Sequence, residues 1–332
     1  MTMLLALGRS AIAALALAVL ASIAVPASAQ QPTQVNPTAS SVKEDQLFRQ
    51  MTRIDGRISI PDAKEGVLIQ PAGQSWRQFH EVTLPWIGAI AILGMLALLV
   101  IFYLTRGMVR IERGRSGRTI MRFNAFERFV HWLTATCFIV LAISGLNITF
   151  GRQILMPILG PNGFASWSQY AKYAHNYLSF PFTLGVVLIL LMWIAWALPN
   201  RTDVEWLKQG GGLVGNKHPP AARFNAGQKI MFWLVVLGGA AAAISGYLLM
   251  FPFYATDVEG MQTAQMVHGI VAVIFVAVML AHIYIGTIGM EGAFESMGTG
   301  DVDLNWAKQH HPIWVEQEMA QSRGASQGAP AE

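Results

Sequence analysis

Residues 267–286 read VHGIVAVIFVAVMLAHIYIG, a stretch apolar enough for a lipid bilayer that nevertheless carries two imidazoles, His268 and His282. An ionisable side chain at membrane depth is costly and marks a functional site by default. Two further histidines, His131 and His175, lie in or at the edge of other apolar stretches. On a helix, a spacing of fourteen residues falls about 40° short of four turns and rises about 21 Å. His268 and His282 therefore project from nearly one face at opposite depths. The same spacing joins His131 to Gly145 and Phe232 to Gly246, and small residues on such a stripe let something flat approach the backbone.

The order of the apolar stretches sorts these histidines by depth: His131 with His282 at one side of the membrane, His175 with His268 at the other. Two neutral imidazoles facing each other across a bundle are what a six-coordinate haem iron requires, since the porphyrin supplies four equatorial nitrogens and the protein two axial ligands. Zinc or copper would need more Cys, His or carboxylate ligands beside each pair. A proton-coupled transporter would be expected to carry Asp or Glu in its spans, and the last four spans lack them. A rival of another class is a haem-free structural anchor whose histidines are hydrogen-bonded core groups.

The elements that must place these residues are read from composition. The chain has 332 residues, 53% hydrophobic and 13% charged, with its apolar residues in long blocks, which is the composition of an integral membrane protein. Cys137 is the single cysteine, so neither a disulfide framework nor a cysteine-ligated cluster can be built from this chain alone. The net charge of +4 is a topology signal and no hint of nucleic acid, because the basic residues lie mostly in short loops between apolar blocks. Five stretches, about 86–105, 128–150, 174–198, 228–251 and 265–289, reach the roughly 20 residues that a transmembrane helix needs.

Ahead of them, Arg9, the apolar run Ala11–Val25 and Ala27-Ser28-Ala29 describe a secretory signal peptide over residues 1–29. Residues 30–84 then form a periplasmic segment whose Gln, Pro, Ser and Thr content implies weak intrinsic order. The loop after the first span holds seven arginines from Arg106 to Arg128, and that after the third holds Arg201, Lys208, Lys217, Arg223 and Lys229. The positive-inside rule makes these loops cytoplasmic. Five crossings from a periplasmic mature N-terminus leave the C-terminus in the cytoplasm, so the rule and the signal peptide agree. His80 and His218 read as solvated loop residues, His310 and His311 as packing or partner-contact residues of the tail, and the tryptophans near the span ends, Trp193 among them, as an interfacial belt.

The last four spans contain an internal echo. RFNAFERFVHW at 122–132 aligns with RFNAGQKIMFW at 223–233, and AISG recurs at 142–145 and 243–246, all at one offset. A repeated two-helix unit gives an all-α integral membrane fold: a four-helix haem-binding bundle preceded by one extra N-terminal transmembrane helix. The expected organisation is a signal peptide at 1–29, the periplasmic segment at 30–84, the extra helix with its Arg-rich loop at 85–119, the di-haem domain at 120–290 and a cytoplasmic tail at 291–332.

FERFVHW, YAHNYLSF, RFNAGQKIMFW, MVHG, LAHIYIG and WAKQHHPIW, in this order, resemble the membrane cytochrome b (gamma) subunit of respiratory formate dehydrogenase over about residues 120–316. The resemblance implies two b haems, one ligated by His175 and His268 near the periplasm and one by His131 and His282 near the cytoplasm. It implies a quinone pocket, for ubiquinone or menaquinone, at Asn225, Ala226, Gly227, Gln228 and His282. It also implies an iron–sulfur (beta) subunit and a molybdenum or tungsten catalytic (alpha) subunit as partners in a bacterial inner membrane. Formate would be oxidised on the partner, and this chain would pass electrons to quinone. Related cytochrome b subunits serve hydrogenases and thiosulfate or polysulfide reductases, so the resemblance leaves those complexes open. From the residues themselves, free N–H groups at a helix start and two side-chain amides could hydrogen-bond a quinone carbonyl. The same residues also make an N-cap, with Asn225 as the cap and Lys229 at the headgroups. The N-terminal 120 residues depart from the family pattern.

Overall fold

The computed structural model describes residues 71–212, 218–252 and 254–327; the expected signal peptide and most of the segment after it lie outside them. Five helices are long and apolar enough to cross a membrane: α1 Gly73–Arg106, α2 Ala125–Ile154, α3 Met156–Ala197, α5 Ala226–Met250 and α6 Val258–Gly289. The short helix α4, Arg201–Lys208, lies between the third and fourth. The protein is a multi-pass, all-α membrane protein with the five spans expected.

Two of the spans begin more than ten residues ahead of their apolar cores. α1 begins before the expected position and passes through a π turn at Phe79–Thr83. α3 starts at Met156 and contains Lys172, a residue expected in a loop. Its one break is Gly160, at φ +69°, followed by Pro161. Trp167 donates to Asn147 Oδ1 at 3.1 Å and Asn147 donates to Ser168 Oγ at 3.1 Å, tying this extra length to α2.

Small residues set the helix spacing. A Cβ at Gly185 would run into the Thr134 hydroxyl, and one at Gly239 would meet Val186 at 2.9 Å, so α2 and α5 approach α3 closely at these points. α1 packs on the outside of the bundle, along α6. Trp86, Ile90, Leu93 and Leu104 face outward, and its buried residues are Leu84 and Gly88, the latter against Phe150 and Val273. Outward aliphatic side chains suit lipid, where exposure carries no hydrophobic cost.

At the end bearing the arginines, the repeat is visible in atomic detail. Asn124 caps α2 and Asn225 caps α5, each in a capping box completed by Glu127 and Gln228 respectively. Each such cap contributes about 1 kcal/mol. A third box, Asn200 with Asp203, opens α4. Lys229 is buried and bonds Asp203 Oδ2 at 2.9 Å and the Leu198 carbonyl at 3.0 Å. That corrects its expected place at the headgroups: the adjacent α4 supplies a carboxylate that makes burial affordable. Trp193, expected in an interfacial belt, is buried and donates to Glu127 Oε1 at 3.0 Å.

The segment after α6 folds back onto this end. Strand β1, Thr119–Met121, pairs antiparallel with β2, Asp301–Asp303. The helices α7 (Ala293–Gly298), α8 (Leu304–His310) and α9 (Pro312–Gln327) complete a cap. Its core is Ile111, Val302, Trp306, Ala307, Trp314 and Val315. Asp303 organises it: Oδ2 accepts from Ser116 N, Gly117 N and Ser116 Oγ, while Oδ1 caps α8. These bonds hold its carboxyl below the usual range against the opposing effect of burial.

Candidate cofactor sites

The structure brings the four intramembrane histidines together in the expected pairs. His175 of α3 faces His268 of α6 with ring centres 6.1 Å apart and planes at 74°. His131 of α2 faces His282 of α6 at 6.2 Å and 55°. A Cβ added to Gly145 would lie 3.5 Å from His175 Cε1, and one added to Gly246 would lie 3.1 Å from His268 Cε1. Of the two glycines of the repeated AISG, Gly246 thus makes room for the His268 ring of the following helix, whereas at Gly145 the added contact would be an ordinary one.

The hydroxyls of the same motif fix these rings. Ser144 Oγ donates to the Val140 carbonyl at 2.7 Å and Ser245 Oγ to the Ala241 carbonyl at 2.6 Å. With its one proton spent, each hydroxyl can only accept from the imidazole beside it: His175 Nδ1 lies 2.8 Å from Ser144 Oγ, and His268 Nδ1 lies 3.1 Å from Ser245 Oγ. His268 Nδ1 also lies 3.0 Å from the Ala242 carbonyl, which accepts only. The Ala242 carbonyl makes His268 an Nδ1–H tautomer, with its Nε2 lone pair free, and the same arrangement of carbonyl, hydroxyl and ring at Ser144 assigns His175 the same tautomer. The other pair lacks this support. His131 Nδ1 is buried without a partner, and the His282 side chain has no hydrogen-bond partner among the described residues.

These separations test whether haem fits. Two imidazoles on a common iron, with metal–nitrogen bonds of ~2.0 Å and ~1.1 Å from nitrogen to ring centre, stand about 6 Å apart. A direct N–H···N bond of ~2.9 Å would hold them no more than about 5 Å apart. Both pairs match the first distance. Among the described residues no group of three His, Cys, Asp or Glu could hold a metal ion unaided, so a metal between these rings needs a macrocycle to complete its coordination. The histidines present fit haem.

The residues of the expected quinone pocket lie at the start of α5. Asn225 Oδ1 accepts from Gln228 N at 2.9 Å, and Gln228 Oε1 accepts from Asn225 N at 3.1 Å. Gln228 Oε1 also lies 3.4 Å from Arg122 Nη2. Ala226 is buried, and Gly227 is covered by the Trp206 ring, 3.0 Å from where a Cβ would be. The amide oxygens are thus taken up by the cap. Among the described residues the two amide nitrogens have no partner, and no hydrogen bond links this turn to His282.

The remaining histidines lie outside both pairs. His80 sits in the π turn of α1, stacked on Trp76, and not in a loop. His218 pairs with Glu112 at 2.8 Å. His310 and His311 pack in the cap as expected: His311 Nδ1 donates to the Ala222 carbonyl at 2.8 Å, and its Nε2 receives Arg122 Nη2 at 3.0 Å. Burial, then the neighbouring Arg122, pushes His311 well below its usual pKa. Burial, then His218 and Arg122, takes His310 to about 4. Arg122 is 1% exposed and enclosed by Phe123, Trp306 and Trp314. Burial first and Arg223 second lower its pKa to about 9. Ser144, Ser245 and Arg122 were not singled out in the sequence, although each lies in a motif that the repeat exposes.

Comparison with known proteins gives one answer. The family model described as prokaryotic cytochrome b561 matches residues 122–300. The formate dehydrogenase cytochrome b556(fdo) subunit of Escherichia coli K12 is 32% identical over 203 residues, 60% of this chain and 93% of that protein. The nitrate-inducible cytochrome b556(Fdn) subunit of the same strain is 25% identical over 63% of this chain and 97% of its own length. The formate dehydrogenase cytochrome b556 subunit of Haemophilus influenzae is 25% identical over 64% and 88%. The matched region contains both histidine pairs and the Asn225–Gln228 turn, and it bears out the resemblance to formate dehydrogenase cytochrome b subunits. The chain belongs to the prokaryotic cytochrome b561 family, a family whose cofactor is haem b.

Proposed function

We propose that the chain is the di-haem membrane subunit of a respiratory formate dehydrogenase, passing electrons from a periplasmic iron–sulfur subunit to quinone near the cytoplasmic side. The observation that carries this reading is the pair of opposed imidazoles at each end of α6, both at the separation an axially ligated iron demands. Bound between each pair, haem would supply one-electron transfer through the width of the bilayer. His175 and His268 serve the periplasmic side, and His131 and His282 the cytoplasmic side. The Arg-rich loops orient the chain in a bacterial inner membrane, with the mature N-terminus outside and the C-terminus inside.

The chain's other residues act by placement. Asn225, Gly227 and Gln228 form a quinone pocket with His282: the cap fixes the turn, and the amide nitrogens that it leaves free donate to a quinone carbonyl. The bundle at 120–290 is the electron-conducting domain. The signal peptide, the segment up to residue 84 and the extra span at 85–119 precede it, and the tail at 291–332 follows. An iron–sulfur subunit and a molybdenum or tungsten subunit complete the complex, and the latter oxidises formate. The names of the curated relatives support formate as the donor. The test is to purify the complex through a tag on this chain and add formate under anaerobic conditions. Reduction of b-type absorbance is expected; absorbance that dithionite reduces and formate does not would exclude formate as donor.

A further inference from the structure

The two histidine pairs are alike in spacing and unlike in what holds them. At His175/His268 both Nδ1–H groups donate, to Ser144 Oγ and to Ser245 Oγ with the Ala242 carbonyl. These serines are equivalents in the internal repeat, and each is itself anchored to the carbonyl four residues back. At His131/His282 there is no counterpart among the described residues: His131 Nδ1 is buried with no partner there. The position of the second repeat that matches His131 is Phe232, so the repeat does not extend to this pair.

An imidazole that donates its outer N–H is locked in orientation and tautomer, and it becomes a more basic ligand. More electron donation favours the oxidised iron, and hydrogen bonding around the axial ligands is one of the levers on haem potential. The serine chain, from carbonyl to hydroxyl to Nδ1–H, lies in the low-dielectric interior, where such bonds polarise one another.

We propose that Ser144 and Ser245 are positioning residues that hold His175 and His268 as Nδ1–H donors, and that they make this pair the lower-potential of the two haem sites. The proposal rests on the haem reading above and goes beyond it: it assigns the difference between the sites to two serines placed at the Nδ1 side of the His175 and His268 rings. A difference in this sense favours electron flow from the His175/His268 side toward the His131/His282 side.

The test is a spectroelectrochemical titration of the purified full-length protein, comparing the unmutated chain with Ser144→Ala, Ser245→Ala and the double variant. His175→Ala first identifies which titrating component belongs to this pair. Each serine variant is expected to raise the midpoint of that component alone, with the double variant changing its reduction equilibrium by about tenfold, 59 mV for one electron. The second component is the internal control and stays in place. Ser144→Thr and Ser245→Thr keep the hydroxyl and are expected to titrate like the unmutated protein. If an alanine variant loses the haem, retention of that haem at its original midpoint in the threonine variant supports the proposal, and its loss there overturns it. Unmoved midpoints, a downward shift, or equal shifts in both components also overturn it and leave the haem reading intact. Absence of a b-type spectrum in the unmutated protein removes the haem reading itself, and with it the proposal.

Discussion

Arg122 and Arg223 occupy equivalent positions of the internal repeat, and each donates from Nη2 to the other's main-chain carbonyl, Arg122 at 2.8 Å and Arg223 at 3.1 Å. The exchange joins the starts of α2 and α5 through a local two-fold relation. The two arginines then diverge. Arg223 reaches Glu127 at 3.3 Å and covers Trp196, while Arg122 is enclosed by the aromatic rings of the cap and bonds His311. One symmetric contact therefore ties the repeat together, and one asymmetric branch ties the tail to it.

Arg122→Ala should loosen the cap first. The change removes the bond to His311 Nε2 and leaves that buried acceptor unsatisfied, a loss of about 1–3 kcal/mol. Limited proteolysis should cut within 304–323 faster than in the unmutated protein, and both haems should be retained. Unchanged cleavage would mean that the cap stands without Arg122.

The cap should also weaken in acid. His310 has a folded pKa of about 4 against an ordinary 6.5, and His311 is shifted in the same direction. The unfolded chain thus binds protons before the folded cap does. Stability is complete above about pH 6.5 and falls as pH drops toward 4. The groups facing His310 are His218 and Arg122, with Glu112 on His218. Thermal unfolding followed from pH 7.5 to 4.5 should show the decline, and His310→Gln should flatten part of it. An equal slope in the variant would assign the effect to other groups.

Capping and quinone binding can be separated at the start of α5. Asn225→Asp and Gln228→Glu keep the oxygens that make the cap and remove the amide nitrogens. Thermal stability should stay within about 0.5 kcal/mol of the parent, since the cap geometry persists, while the apparent KM for quinone rises several-fold with both haems bound. Unaltered turnover at limiting quinone would leave these residues as caps alone.

Glycine tolerance should differ between the two repeats. At Gly246 an added Cβ already lies 3.1 Å from the His268 ring, whereas at Gly145 the nearest contact is an ordinary 3.5 Å. Gly246→Val should displace the imidazole and lower haem content at the His175/His268 pair, and Gly145→Ala should be near neutral. The pyridine haemochrome assay distinguishes the two. Equal haem content in both variants would contradict the close approach.

What was legible in the sequence was whatever has a long period. The spans, the offset between repeats and the fourteen-residue step from His268 to His282 survive because a bilayer fixes helix length and a helix fixes angular position. The cap was not legible. Its elements are short, and its decisive contacts, such as Arg122 to His311 across 189 residues, join segments with no periodicity of their own. The serines were missed for another reason: AISG was visible as a repeat, but which hydroxyl meets which ring depends on how α2 packs on α3 and α5 on α6. The NAGQ turn combined two readings, because an N-cap and a polar pocket call for the same residue types.

The central claim is that each histidine pair holds its own haem. Haem and protein quantified together should give two b haems per chain in the unmutated protein and one in His175→Ala, with the remaining component still bis-histidine and low-spin by electron paramagnetic resonance. A single haem per chain before mutation, or loss of both or neither on removing His175, would contradict it.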